Sequence, residues 1–153
     1  MKWNEIKKQS DVDYLMKEFR DFHDSCIREA HIWTATWVNQ DLSMSISPEL
    51  DVNMRLHIQR QYTDPIAIEL FFEELTRFNL VPAPENCDAI IITTTMIFRN
   101  GLIYWATVGN WDPEKIDCND YTWISAKKLK WRGIDNWIGP TLQYGLKETN
   151  GNT

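Results

Sequence analysis

Cysteine, glycine and long apolar runs are all scarce in this chain of 153 residues. Its three cysteines lie far apart, without the paired spacing of a metal site or a disulfide framework. Its six glycines do not cluster, which excludes a glycine-rich phosphate-binding loop. No apolar segment approaches the length of a membrane-spanning helix, and residues 1–6 lack the apolar core of a signal peptide. These absences predict a cytoplasmic protein with reduced thiols and with neither metal nor cofactor.

Positive charge is also scarce. The chain has 16 Lys and Arg against 22 Asp and Glu, which gives a net charge of −6 and a pI near 5.0. An acidic domain repels phosphate backbones unless a local basic patch overrides the overall field, so nucleic acid is a disfavoured partner. The charge favours a basic protein partner and leaves a homo-oligomer open.

Aromatic residues, by contrast, are abundant. The chain contains eight Trp, six Phe and five Tyr. Aromatic side chains fit the half-buried surface of a pleated sheet, so the composition favours strands. Tryptophan is also frequent at protein–protein contacts, and we expect part of this aromatic surface to serve a partner.

The strongest local signal is the segment 50–59, in which apolar and polar residues alternate without interruption. Successive side chains of a strand point to opposite faces, so the alternation predicts a strand with one buried and one hydrated side. We expect Leu50, Val52, Met54 and Leu56 to face the core.

A helical pattern precedes the strands. Ser10, with an acidic residue three positions later, resembles a helix N-cap, and apolar residues then recur at helical spacing. We predict one amphipathic helix over residues 11–22 that packs Leu15, Phe19 and Phe22 against a sheet.

Several further segments have strand patterns. The pair Asn100-Gly101 is typical of a tight hairpin turn, and we expect the hairpin around it to lie centrally, covered on both faces. Residues 73–78 fit either a strand or a helical turn. The predicted strands cover residues 26–38, 42–46, 66–72, 89–98, 102–108 and 121–131, with turns or loops at 39–41, 63–65 and 81–86.

These patterns predict an α+β fold that is mostly β. One N-terminal amphipathic helix packs on an antiparallel sheet or a two-layer sandwich of about seven strands. We expect a single globular domain over residues 1–145 and a flexible C-terminal tail over residues 146–153, because the last residues lose all pattern.

Phe22-His23-Asp24-Ser25 contains the residue types of a hydrolase triad, but their adjacency argues against one. Triad members come from separate elements, and chain neighbours cannot aim at one another in the same way. We predict a helix-to-strand junction in which Asp24 and Ser25 bond to nearby backbone groups, with no catalytic residue. His23 and Asp24 are nevertheless candidate binding residues.

Other ionisable residues fit surface positions better than a site. His31 and His57 lie among polar neighbours without metal-ligand spacing, so we predict solvated histidines and no metal. Glu69, Glu73 and Glu74 supply carboxylates, which a glycosidase needs as a facing pair, but we interpret them as a solvated strand face.

Residues 123–132 form the one basic and aromatic cluster of the sequence. Such interleaving could bind single-stranded nucleic acid by base stacking and phosphate contacts. The patch is short and the chain is acidic, so we favour a late strand with solvated lysines, which on an edge would also block unwanted pairing. Trp123 and Trp131 are the candidate binding residues of this cluster.

The junction at residues 22–25 also carries a resemblance. With Ile27 as the first strand residue and 126–131 as the last strand, the chain resembles a group of small bacterial β-rich proteins that open with a helix and a Phe-His-Asp-Ser junction. Some members of that group look like immunity proteins that neutralise a toxin from the same bacterium. The resemblance implies a bacterial protein in which the junction is structural, and it transfers no catalytic residue.

Three hypotheses about function follow. The first is a non-enzymatic interaction domain that presents an acidic, aromatic-bearing surface to a protein partner, such as a toxin. The alternative is a small-molecule-binding β domain or a hydrolase, with an aromatic-lined cavity between helix and sheet and His23 among its polar contacts. The third is single-stranded nucleic-acid binding through Lys127, Lys128 and Lys130.

Overall fold

A single large sheet with one helix on it forms the core of the molecule. The computed structural model describes residues 2–134, and the predicted α+β, mostly β, fold is confirmed. Short 3-10 turns cover Arg20–Phe22 and Cys118–Asp120. The remaining elements are β1 (Asn4–Ile6), α1 (Gln9–Glu18), β2 (Ser25–Trp33), β3 (Trp37–Val38), β4 (Met44–Ser45), β5 (Asn53–Arg60), β6 (Ala67–Asn79), β7 (Thr95–Arg99), β8 (Leu102–Ala106) and β9 (Trp123–Gly133).

Seven strands make one antiparallel sheet in the order β2-β5-β6-β9-β8-β7. The seventh strand, β1, pairs with β9 along the part of its edge that β8 leaves free. Of the two predicted architectures, the described residues therefore form the single sheet. Strands β3 and β4 pair only with each other and lie outside it.

Strand β5 shows how the sequence pattern sets the two faces of the sheet. Met54, Leu56 and Ile58 are fully or almost fully buried on the face that α1 covers, as the alternation predicts. The strand begins at Asn53, later than expected, although the Val52 carbonyl already accepts a hydrogen bond from the Leu75 backbone N–H in β6 (2.8 Å). Val52 is half-buried, and the expectation for Leu50 is wrong because its side chain is exposed.

The predicted amphipathic helix is present, with different ends. Ser10 is not its cap, because the chain turns earlier, where the Asp11 carboxylate accepts the backbone N–H groups of Lys7 (2.8 Å) and Lys8 (3.1 Å). The helix ends at Glu18, and a separate 3-10 turn carries the chain to the sheet. The helix face buries Val12 and Leu15 in the same core as Phe19 and Phe22.

The hairpin of β7 and β8 is placed differently from our expectation. Its tight turn is confirmed, since Asn100 and Gly101 both have positive φ (53° and 75°). The hairpin lies at the sheet edge, because the two longest strands, β6 and β9, pair along their length and occupy the centre. Residues 89–94 do not form a strand. Their backbone pairs only where Ile91 meets Ser25, and Ile90 and Ile92 are exposed.

One other strand prediction needs correction, and the alternative left open for residues 73–78 is resolved as a strand. The strand predicted over 26–38 ends at Trp33, and the following residues enter the separate ribbon of β3 and β4. Residues 73–78 belong to β6, with an irregularity between Leu75 and Arg77. Strand β9 is unbroken.

The remaining expectations concern thiols, membranes and the chain end. Cys26, Cys87 and Cys118 are all free, as predicted. No helix within residues 2–134 is long and apolar enough to cross a membrane. The predicted domain boundary at residue 145 and the predicted tail over 146–153 lie outside the described residues.

Candidate functional site

A hairpin arm protrudes from the sheet between β2 and β5. We define it as residues 34–51, which contain β3, β4 and the turn that joins them. The arm exposes large apolar side chains, which proteins normally bury in a core or an interface. The most exposed are Leu42 (85%) and Ile46 (75%), and the set also includes Trp37, Val38 and Met44.

Hydrogen bonds within the arm hold it in shape without help from the core. The Asn39 side-chain amide donates to the hydroxyls of Ser43 (3.0 Å) and Ser45 (3.1 Å). The Trp37 indole N–H donates to the Asn39 side-chain carbonyl (2.9 Å), and the Asn39 backbone N–H donates to the Ser43 carbonyl. A two-stranded ribbon is at best marginally stable in water, so these bonds preorganise a surface whose apolar side chains face solvent.

The arm carries only negative charge. Its charged residues are Asp41, Glu49 and Asp51, and it contains no Lys, Arg or His. The Asp51 carboxylate fixes the base of the arm by accepting the Ala35 N–H (3.1 Å) and the Thr36 hydroxyl (3.2 Å). The arm therefore combines exposed apolar side chains with an acidic rim.

A row of ionic side chains, buried at its centre and partly exposed at its ends, crosses the face of the sheet opposite α1. Cross-strand pairing places Glu29, His57, Glu69 and Arg132 side by side on four strands. The His57 ring nitrogens lie 2.8 Å from Glu29 Oε1 and 3.3 Å from Glu69 Oε1. Arg132 donates to Glu69 Oε2 through Nε and a terminal nitrogen, both at 2.6 Å. The prediction of solvated His57 and Glu69 is wrong, because each is under 5% exposed.

The electrostatics of this row favour a charged Glu69. Burial would raise the pKa of its carboxyl, but hydrogen bonds from His57 and Arg132, together with their charges, outweigh burial and lower the pKa. Its carboxylate oxygens are thereby occupied by donors from the two neighbouring strands, β5 and β9. Within residues 2–134, no group of three or more His, Cys, Asp and Glu is arranged to hold a metal ion.

Glutamates of β6 pair with the lysines of the predicted basic cluster. Lys127 and Lys128 pair with Glu74, and Lys130 pairs with Glu73 at 3.1 Å. Lys130 also lies over the Phe71 ring, 4.5 Å from its centroid. The predicted late strand with solvated lysines is confirmed for Lys127 and Lys128, although β9 lies at the centre of the sheet and not at an edge. The lysines remain partly exposed, but the two carboxylates Glu73 and Glu74 offset most of their positive charge.

Two of the four candidate binding residues lie in the interior. Trp123 is 6% exposed and packs on the Trp111 ring, with centroids 5.0 Å apart. Trp131 is 7% exposed and contacts Tyr14. Their rings belong to the core because β9 is covered on both faces, so neither offers a broad surface to a partner.

The other two candidate residues, His23 and Asp24, lie together at the surface. His23 Nδ1 is 3.0 Å from Asp24 Oδ2, and both side chains are partly exposed. The buried Ser25 hydroxyl donates to the Phe22 carbonyl, so it holds the junction and is not aimed at His23. The junction thus acts as a turn, as predicted for Ser25, whereas the Asp24 carboxylate pairs with His23 and not with the backbone.

A cavity of about 350 Å³ opens beside this junction. Asp24, Cys26, Gln59 and Gln61 line it together with apolar side chains, whereas His23 does not. The guanidinium of Arg60 also borders the cavity, but it donates to the carbonyls of Glu18, Asp64 and Pro65 and stacks on Phe19. Arg60 is therefore used by the fold.

Sequence reasoning missed the arm as a surface. The alternation of Leu42, Met44 and Ile46 with serines indicates a half-buried strand. No feature of the local sequence indicates that these apolar side chains remain exposed to solvent. The absence of any cation from residues 34–51 was the available signal.

No protein-family model, curated protein or solved structure matches this chain.

Proposed function

We propose that this protein is an interaction domain that binds a basic partner protein through the hairpin arm. The observation that carries the proposal is the exposure of large apolar side chains on a preformed, purely acidic ribbon. Val38 and Met44 lie opposite each other across the ribbon, and exposed apolar surface of this kind marks interaction sites. Burial of one such side chain stabilises a complex by roughly 1.5–3 kcal/mol, before the losses that accompany association.

Charge favours a protein with Lys and Arg around its binding site. The three carboxylates of the arm would attract such a surface and accelerate the encounter. Anionic lipid headgroups would be repelled by the same carboxylates, so a membrane surface is a poorer occupant. The paired lysines of β9 likewise give little support to nucleic-acid binding.

A toxin is the specific partner class that the resemblance at residues 22–25 supports. Immunity-like members of that group neutralise toxins, and a basic toxin would fit the charge of the arm. In this finer form of the proposal, the arm covers a basic surface on the toxin. A toxin gene adjacent to the gene for this chain would favour it over other basic partners.

Affinity capture with matched variants tests the proposal. The immobilised protein is exposed to extract of its native cells, and any captured protein is identified, produced separately and measured by calorimetry. We expect Val38→Thr combined with Met44→Thr to weaken binding at least about tenfold, because both apolar contacts are lost. Ile116→Thr is the control, since Ile116 is fully exposed outside the arm.

Two results would contradict the proposal. One is the recovery of no partner at low salt. The other is equal affinity of the arm variant and the Ile116→Thr control for the purified partner.

The cavity beside Asp24 supports a second candidate function, the binding of a small molecule. It combines apolar lining with the polar groups of Asp24, Gln59 and Gln61. A thermal-shift screen against metabolites should then give a shift with a small polar ligand that is lost in Asp24→Asn. Asparagine tolerates the positive φ of this position (56°), so the variant should stay folded. An unchanged shift in that variant would remove the cavity as the site.

A further inference from the structure

Leu42 occupies the tip of the arm in a conformation that leucine rarely adopts. Its φ is +67°, in the left-handed region that Gly and Asn favour. Its backbone N–H donates to the Asn39 carbonyl at 3.0 Å, so the turn holds this conformation. Its side chain is nevertheless 85% exposed, and nothing in the described residues covers it.

Two separate effects therefore make leucine unfavourable at this position in the free domain. The branched side chain crowds the backbone at positive φ, and its apolar surface is hydrated. Asn or Gly would complete the same turn without either disadvantage. Strained residues persist where they serve a binding site, and here the strain and the exposure fall on one side chain.

We propose that Leu42 is the anchor of the arm, inserted in the complex into an apolar socket of the partner that is rimmed by Lys or Arg. This inference rests on the proposed function. Asp41 supports the rim chemistry, because its carboxylate accepts the backbone N–H (3.0 Å) and the hydroxyl (2.6 Å) of Ser43. These bonds hold a negative charge beside Leu42, where a cation next to the socket would meet it.

Tyr62 provides a matched control for the strain argument. It also has positive φ (64°) and is 89% exposed. It follows Arg60 at one end of β5, whereas the arm joins the other end at Asn53. Strand β5 has eight residues, so its two ends lie roughly 25 Å apart. Replacement of Tyr62 therefore relieves the same strain without touching the arm.

The test compares Leu42→Asn with Tyr62→Asn. Both variants should unfold about 2–4 °C higher than the unmodified protein, because asparagine relieves the left-handed strain. Leu42→Asn should weaken the affinity for the purified captured partner at least about tenfold, because the anchor is lost. Tyr62→Asn should leave that affinity within about twofold. An opposite change of stability and binding at one position is the signature of an anchor.

The outcomes separate this inference from the proposed function. Capture of no partner would overturn both. Equal affinity of Leu42→Asn and the unmodified protein, with loss of binding in the Val38→Thr, Met44→Thr variant, would overturn the anchor alone. Dimerisation in ultracentrifugation or flotation with zwitterionic vesicles, if abolished by Leu42→Asn, would replace the basic partner by a second copy or a lipid surface and so overturn the inference.

Discussion

His57 and Glu69 show what single residues contribute to this fold. Each lies on the face of the sheet that local patterning predicts to be hydrated, yet each is buried. The face of the sheet on which each side chain lies can be predicted from the sequence, because alternation along a strand depends only on neighbouring residues. The burial cannot, because it depends on the register that places Glu29, His57 and Glu69 on adjacent strands from distant parts of the chain.

Glu69 should make the stability of the protein sensitive to acid. Because its pKa is lowered in the folded state, it stabilises the fold above its unfolded pKa, and this contribution is lost as the pH falls below about 4.5. Glu69→Gln should lose about 2 kcal/mol at pH 7, because His57 and Arg132 lose a buried, charged hydrogen-bond acceptor. Urea unfolding from pH 7 to pH 3 measures both effects.

The variant should lose less stability than the unmodified protein on acidification, since it has no carboxyl to protonate at this position. An equal loss of stability on acidification in the two proteins would contradict the role of Glu69 in the acid sensitivity. Glu85→Gln is the control, because Glu85 lies in an exposed loop.

At the scale of elements, the start of α1 follows from one carboxylate. Asp11 takes two backbone N–H groups that the first turn leaves free, those of Lys7 and Lys8. Sequence alone favoured Ser10, because serine is a common cap, and the choice between neighbouring candidates depends on the path of β1 into the helix. The apolar positions of the helix were predictable, because they follow its period.

Asp11→Ala should therefore destabilise the protein by about 1 kcal/mol. Asp13→Ala is the matched control, since the Asp13 carboxylate accepts only the Gln9 side chain at the surface and should change stability little. Thermal unfolding of the two variants provides the measurement. A loss in the Asp13 variant as large as that in the Asp11 variant would contradict the role of Asp11.

The hairpin arm is an element whose order depends on Asn39. Asn39→Ala removes the side-chain bonds to Trp37, Ser43 and Ser45 while the core is untouched. Amide hydrogen exchange at Leu42 should accelerate on the order of tenfold, because about 1.4 kcal/mol of local stabilisation is lost. The Leu56 amide in the sheet should exchange at its original rate, and faster exchange there would show that the arm and the sheet unfold together.

For the whole molecule, charge is the property that the sequence predicts best. The net charge of −6 is a sum over composition and needs no structure. The placement of charge does need it, because cross-strand pairing decides that Lys127, Lys128 and Lys130 face Glu73 and Glu74. The arm carries three carboxylates and no cation, so it presents a negative field to a partner.

Association with the basic partner should consequently slow as salt rises. We expect the on-rate to fall at least about tenfold between 50 and 500 mM salt, because screening shortens the reach of the acidic arm. Glu49→Gln should reduce this salt dependence more than Glu85→Gln, although both remove one charge. Stopped-flow measurements with the purified partner test this, and equal slopes for the two variants would contradict steering by the arm.

The attachment of the arm has a consequence for how recognition could diversify in this scaffold. Trp33 and Asn53 stand opposite each other on paired strands, so the ladder of β2 and β5 is already closed beneath the protruding residues. If the arm binds the partner as proposed, exchange of the segment between these two residues would change the partner and leave the backbone pairing of the sheet in place. The same sheet could then carry different inserts, each with its own specificity.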